Sequence, residues 1–424
     1  MGGETTLSGE AVPLRRNRDF QLLWIGEALS ELGSRISGVA IPLLVLATSG
    51  SPARLGLTGF VGLLPLLLFT LPAGALLDRL PRKRVMLVCQ VGRALAVAGL
   101  AAAVAAGRTW FPLVLAVFFL DVTGSVFFTV AERSALPRLV PATQLRSAVS
   151  QNQAREYGSG LLGRPLGGFF FSLAQALPFL VDTCSYLFSV ASLLLIRRDF
   201  EGHRERSQTL LLPEIRAGLV WLWRQRFLRT ISLLVTASDI NVNALYVVVI
   251  VLAKRHDASS TLIGGIVAFI GVGGLIGSAV APWTSRRLSA RAAIAGTLCT
   301  MTLLLPLLLA TTTPIVLGLI YGAMFVAYPT WSAIHWAYFA ALVPDRLQGR
   351  IQSIATLLSL GPIPIAVLLV GVALQWLGST PTILLLFAVM LFASLVALTS
   401  RHIRDVPPLS ELGSRPEETV VATP

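Results

Sequence analysis

The chain has 424 residues, of which 54% are hydrophobic and only 13% charged, with a mean hydropathy of +0.75. A water-soluble globule would carry nearer about 25% charged residues, so this composition excludes one and requires a lipid-embedded chain. The net charge of +13 does not by itself point to nucleic acid, because cations flanking apolar runs orient a chain in a membrane.

Residues 1–19 end in Arg15, Arg16 and Arg18 and run straight into an apolar stretch with no small-residue cleavage site, so no cleavable signal is expected. Twelve apolar runs of roughly 20 residues follow, each able to cross a hydrocarbon core of about 30 Å. Their approximate limits are 20–48, 55–78, 84–106, 110–132, 145–173, 175–196, 228–253, 260–284, 291–311, 313–342, 347–377 and 380–400. The expected fold is therefore an all-α membrane protein of twelve transmembrane helices.

Of the 34 Lys and Arg residues, Arg54, Arg108, Lys254 and Arg255 fall on one face and Arg35, Arg93, Arg155 and Arg164 fall inside spans. All the others fall on the opposite face. That asymmetry predicts cytoplasmic termini in an inner membrane. It divides the chain into a cytoplasmic segment 1–19, a six-helix half 20–197, a cytoplasmic linker 198–227, a second half 228–400 and a disordered tail 401–424. Within the linker, Ile215, Leu219 and Leu222 recur at helical spacing between arginines, as in an amphipathic helix lying on the membrane surface.

Two echoes support duplication of the halves. Arg79-Leu80-Pro81-Arg82-Lys83 returns as Arg287-Leu288-Ser289-Ala290-Arg291, and Leu139-Val140-Pro141 returns as Leu342-Val343-Pro344. The second copy has Arg286 where the first has Asp78. Cys89, Cys184 and Cys299 lie in separate apolar runs and offer neither a disulfide framework nor metal spacing. No cofactor or metal is expected. Nor is an enzyme, since the chain lacks paired metal-binding histidines and a nucleophile turn.

The sharpest motif is Gly74-Ala75-Leu76-Leu77-Asp78-Arg79-Leu80-Pro81-Arg82-Lys83-Arg84, between the second and third runs. It resembles the loop between helices two and three of the major facilitator superfamily of secondary transporters, with Pro81 where that family usually has glycine. Four further stretches resemble its drug and siderophore exporters, which include macrolide and enterobactin efflux proteins. They are Leu14 to Trp24, Ala135 to Pro141, Glu214 to Leu228 and Leu342 to Arg350. The resemblance implies two pseudo-symmetric six-helix halves that rock around a site near the midplane. It also implies a gate made of Gly74, Asp78, Arg79, Arg82 and Lys83, with Glu132 completing its charge network. Gly163-Arg164-Pro165-Leu166-Gly167-Gly168 is similar to the exporters' glycine-rich motif in helix five, with the proline displaced by one place. Gly163, Gly167 and Gly168 suit close helix approach and Pro165 suits bending.

Ionisable groups at bilayer depth cost at least ~2.5 kcal/mol and so mark functional positions. Glu27, Glu31 and Arg35 share one face of the first helix at i, i+4, i+8 spacing. With Asp121, Arg155 and Asp239 these acids are the candidates for proton coupling, Asp121 and Arg155 being placed to pair across neighbouring helices. Asp182 is a weaker candidate. Tyr246, Phe269, Trp331, His335 and Trp336 are the candidate pocket residues, able to take a bulky amphiphile.

The expected activity is proton-coupled export of an amphiphilic drug, antibiotic or siderophore, by a monomer that engages protons, a small molecule and the bilayer but no nucleic acid. A facilitator or importer of a small polar solute and a non-transporting receptor or scaffold stay open.

Overall fold

The computed structural model describes residues 13–77, 79–197, 200 and 219–406. The described residues are almost entirely helical and contain no strand, as lipid requires: a spanning backbone must satisfy its own hydrogen bonds. The first half consists of α1 (Arg18–Ser49), α2 (Pro52–Leu77), α3 (Arg82–Ala105), α4 (Phe111–Leu139), α5 (Ala142–Leu173) and α6 (Leu177–Leu195). The second contains α7 (Arg226–Arg255), α8 (Ser260–Arg287), α9 (Ala290–Leu304) with its short continuation α10 (Leu307–Ala310), and α11 (Pro314–Leu342). It ends with α12 (Asp345–Leu360), α13 (Ile363–Trp376) and α14 (Ser379–Thr399).

Among the described residues, eleven helices are long and apolar enough to cross a membrane, where two of them count through their breaks as α9 with α10 and α12 with α13. The remaining span is α5. It has 32 residues, but Arg146, Arg155, Glu156 and Arg164 lower its hydropathy. The two interruptions, at 305–306 and 361–362, coincide with Pro306 and Pro362, each of which lacks the amide hydrogen that would continue the ladder.

The duplicated motifs fall at equivalent corners. Pro141 precedes α5 and Pro344 precedes α12 in the same extended backbone conformation, while Pro81 and Ser289 hold the starts of α3 and α9. Packing repeats as well. In the first half α1 packs on α5 and α6, α2 on α4, and α3 on α4 and α6. In the second, α7 packs on α12, α13 and α14, α8 on α11, and α9 on α11 and α14.

The fourth helix runs further than its apolar composition predicts, to Leu139. Ala131, Ala135 and Leu139 continue a helical apolar stripe past Glu132 and Arg133, and it buries against Met86 and Leu77 in one cluster. Glu132 therefore lies well inside α4 and not at its end. Of the expected linker helix, residues 201–218 lie outside the described part. Residues 219–224 are helical and end at Gln225, with Leu222 buried and Leu219, Val220 and Trp223 exposed.

The halves meet chiefly through α5 on α8 and α2 on α13. Both seams close at the end of the bundle away from Arg18 and Thr399, here called the far end. A methyl group on Gly168 would stand 2.9 Å from the Gly264 Cα, and one on Gly56 would stand 2.8 Å from the Gly371 Cα. Glycine is what lets these backbones touch. Between the halves lie two cavities, one of about 730 Å³ toward the near end and one of about 370 Å³ deeper, beside the α2–α13 seam.

Candidate functional site

The first helix does present Glu27, Glu31 and Arg35 on one face, and Arg35 Nη2 donates to Glu31 Oε1 at 2.9 Å. Helix α5 lays Arg155 against the same face. Its Nη1 and Nη2 donate to the two oxygens of Glu132 at 2.9 and 3.3 Å, the bidentate fit that planar guanidinium favours. Its Nε stands 3.4 Å from Glu31 Oε2, an ion pair without hydrogen-bond alignment. Arg155 thereby ties α1, α4 and α5 together. Glu27 is buried among Glu132, Arg155, Arg93 and Glu31, and its Oε2 has no partner among the described residues.

Asp121 does not pair with Arg155. It is held by Arg93 of α3, whose Nε donates to Asp121 Oδ1 at 2.9 Å. The reason is depth: Asp121 stands eleven residues, about three turns, before Glu132 on α4, so one arginine cannot serve both. Tyr186 of α6 donates to the same Asp121 oxygen at 2.8 Å, and Arg93 Nη2 donates to Tyr186 and Ser34 at 2.8 and 3.0 Å. Gln90 extends this cluster, donating to Ser30 and Ser189 at 2.9 Å each. Asp182 is fully buried beside Ser185, where Gly33 of α1 makes room for it. Arg93, Tyr186 and Gln90 were legible only as intramembrane polar residues. Nothing in the sequence assigns them to Asp121.

Of the charge network expected at the 74–84 turn, only part falls on described residues. Asp78 lies outside the described residues. Arg82 Nη1 donates to the carbonyls of Ser134 and Phe200 at 3.0 and 3.2 Å, and Lys83 Nζ to that of Ile196 at 2.6 Å. These cations thus satisfy carbonyls near the ends of α4 and α6, as cations near helix C-termini do, while Glu132 faces Arg155. Arg79 is exposed, and a methyl group on Gly74 would meet nothing within 4 Å.

The helix-five glycines do permit close approach. A methyl group on Gly163 would stand 3.1 Å from the Leu32 carbonyl and one on Gly167 3.2 Å from the Ile36 Cα, both on α1, while Gly168 abuts α8. Pro165 lies within α5.

The pocket candidates separate. Tyr246 lines the smaller cavity with Phe118, Val247, Val367, Arg35 and Arg164. The larger cavity is walled by Arg35, Arg164, Glu156, Ile270, Phe325 and Tyr328 among others. Phe269 packs instead against Gly318 and Gly322 at the α8–α11 interface. Trp331, His335 and Trp336 line a separate space of about 190 Å³ inside the second half, together with Asp239. Asp239 accepts from Tyr328 at 2.6 Å and from Ser359. The described residues contain no cluster able to hold a metal ion.

The sequence profile of the transmembrane secretion effector family matches residues 8–420. The multidrug efflux pump Tap of Mycolicibacterium fortuitum is 25% identical over 414 residues, covering 91% of this chain and 95% of that protein. Macrolide efflux protein A of Streptococcus pyogenes is 25% identical over 221 residues, covering 51% of this chain and 54% of that protein. Among solved structures, a bacterial homologue of the iron transporter ferroportin in an inward-facing state superposes with a TM-score of 0.72 at 17% identity, covering 94% of this chain and 99% of that one. The likeness is one of fold.

Proposed function

This chain belongs to the transmembrane secretion effector family of major facilitator transporters, and from that premise we propose that it is a proton-coupled exporter of amphiphilic drug-like molecules. The observation that carries the reading is the shape of the space between the halves. It is sealed at the far end by glycine contacts of α5 with α8 and α2 with α13, and it is hollow toward the near end. The cation asymmetry supports termini in the cytoplasm, and on that orientation this is a loading state for cargo from the cytoplasm or the inner leaflet of the cytoplasmic membrane. The Tap relative's name as a multidrug efflux pump supports the outward direction. One copy of the chain contains both halves and both cavities, which favours a monomer.

The coupling step falls to the Glu27, Glu31, Glu132 and Arg155 group. Arg155 faces three carboxylates. A proton on Glu27 removes one of them and with it the repulsion between Glu27 and Glu132, so the clamp of α5 on α1 and α4 has different strength in the two protonation states. A proton can shift the rocking equilibrium only by that difference. Asp121 is tied to Arg93 and serves as a reserve acid, and Asp239 is a buried acid of the second half, on the helix that repeats α1. Asp78 and the Gly74 to Lys83 turn latch the near end when the far end opens.

Inverted membrane vesicles with an imposed proton gradient test this reading, using a panel of amphiphilic dyes and antibiotics. The expected result is gradient-dependent accumulation that is lost in Glu27→Gln. Accumulation that needs no gradient would replace coupling by facilitated diffusion, and no movement of any compound would leave a receptor or scaffold.

A further inference from the structure

Four arginines lie within spans, and three of them sit on carboxylates: Arg35 on Glu31, Arg93 on Asp121 and Arg155 on Glu132, each at 2.9 Å. The fourth, Arg164, makes no hydrogen bond or ion pair among the described residues. It is half-buried on α5, and it lines both cavities between the halves. The charge it feels most is a like one, Arg35, and its other polar neighbours are Tyr246 and Tyr321. Those two hydroxyls donate to the carbonyls of Gly38 and Val242, both at 3.2 Å. Neither supplies the missing negative charge.

The position of Arg164 is fixed from the backbone. A methyl group on Gly264 would stand 2.7 Å from the Arg164 carbonyl, so this residue lies where α5 and α8 touch and the two halves meet. The smaller cavity contains Arg35 and Arg164 and no carboxylate, and its other walls include Phe118, Val247 and Val367. In the larger cavity the acid is Glu156, which is largely exposed and leans on Arg35 at 3.7 Å. An uncompensated guanidinium at bilayer depth is costly to keep and marks a function whose partner must be named. Here none of the described residues provides that partner.

We propose that Arg164 is the binding residue for an acidic group on the cargo, so that the transported molecules are amphiphiles carrying a carboxylate, sulfonate or phosphate on an apolar body. This rests on the transporter reading above and narrows it to a substrate class. The guanidinium fork takes the anionic group, and the aromatic and branched side chains of α4, α7 and α13 take the body. The same chemistry describes a soluble organic acid and an anionic lipid.

Equilibrium binding to purified protein in phosphatidylcholine nanodiscs tests the proposal without any gradient. The probes are three size-matched compounds: naphthalene carboxylate, naphthalenemethanol and naphthylmethylammonium. The wild type should bind the carboxylate about tenfold tighter than the alcohol, as expected of a charge-assisted hydrogen bond, and the ammonium weakest. Arg164→Gln should abolish the preference for the carboxylate and leave alcohol binding unchanged, while Arg164→Lys should retain part of it. Equal binding of all three probes to the wild type overturns the proposal, as does an equal loss of all three in Arg164→Gln. Loss of carboxylate binding when phosphatidylglycerol is included in the nanodisc identifies the lipid as occupant, and retention identifies the soluble acid. If the vesicle assay shows no transport but the carboxylate preference holds, the exporter reading fails and the anion site stands. Transport without that preference has the opposite meaning.

Discussion

In the first half of the bundle, Arg93 is met by Asp121 and Arg155 by Glu31 and Glu132. In the second half, on the same packing plan, the Asp239 carboxylate is met among the described residues only by the hydroxyls of Tyr328 and Ser359. All ion pairs among the described residues lie in the first half, on α1, α3, α4 and α5. What the halves share is the part that apolar spacing and small residues determine: helix length, corner prolines and pairwise packing. What separates them is an ionic layer that costs solvation and is kept only where it acts. A duplicated scaffold can thus concentrate its switch in one half and use the other as a largely apolar counter-surface. The missing acid at Arg286, where the first copy has Asp78, follows the same division.

The comparison is broken most directly at Arg93. Arg93→Ala leaves Asp121 buried without its cation, and removing one partner of a buried pair costs about 3–5 kcal/mol. The melting temperature of the purified protein should fall sharply, and Asp121→Asn combined with Arg93→Ala should recover part of the loss. If Arg93→Ala melts like the wild type, the ionic layer of the first half is not structural.

Next in size is the far-end seam. Gly168→Leu and Gly264→Leu each force a side chain into touching backbones, and overpacking costs about 1–3 kcal/mol, here charged to the state in which the far end is shut. A cysteine at the buried, cavity-lining Thr58 should then react faster with an impermeant maleimide added from the far side. Gly74→Leu is the control, because Gly74 faces open space; it should leave that labelling rate unchanged. Equal labelling in all three variants would mean that the seam does not hold the far end closed.

Arg155→Gln is expected to act on transport more than on folding. It frees Glu132 and Glu31 to repel each other, so gradient-driven accumulation should fall by an order of magnitude or so while Arg164-dependent binding persists. A variant that transports normally would move the coupling step elsewhere in the half.

Most of the scaffold was legible from the sequence because lipid leaves the backbone few options: long apolar runs become helices, and prolines mark their corners. Even α5, whose charges lower its hydropathy, is among the apolar runs, over 145–173. The pairing of charges was not legible. Periodicity placed Glu27, Glu31 and Arg35 on one face, since that is a property of a single helix. Choosing Arg93 over Arg155 for Asp121 requires the relative depth of three helices, which spacing along one chain does not contain. Which space Trp331, His335 and Trp336 line was not legible for a similar reason. Which side of α11 faces the partner half and which faces α7 and α12 is a matter of helix rotation, and α11 is apolar nearly all round. Arg164 stood out only as a departure inside a glycine motif, and its isolation became visible once the other three arginines had found their carboxylates.

The smallest effect is expected at Asp239, and it is the most exacting test of the asymmetry. An asparagine keeps a carbonyl oxygen to accept from Tyr328, so Asp239→Asn loses at most the charged part of two hydrogen bonds, on the order of 1 kcal/mol. Vesicles containing it should accumulate cargo within about twofold of the wild-type rate, twofold being less than 1 kcal/mol in the barrier, and with the gradient dependence intact. His335→Gln, buried nearby with Nε2 unpartnered, should behave alike. If either substitution uncouples transport from the gradient, a proton is handled in the second half too. The apolar counter-surface would then be a second switch, built from hydroxyls and an imidazole in place of arginines.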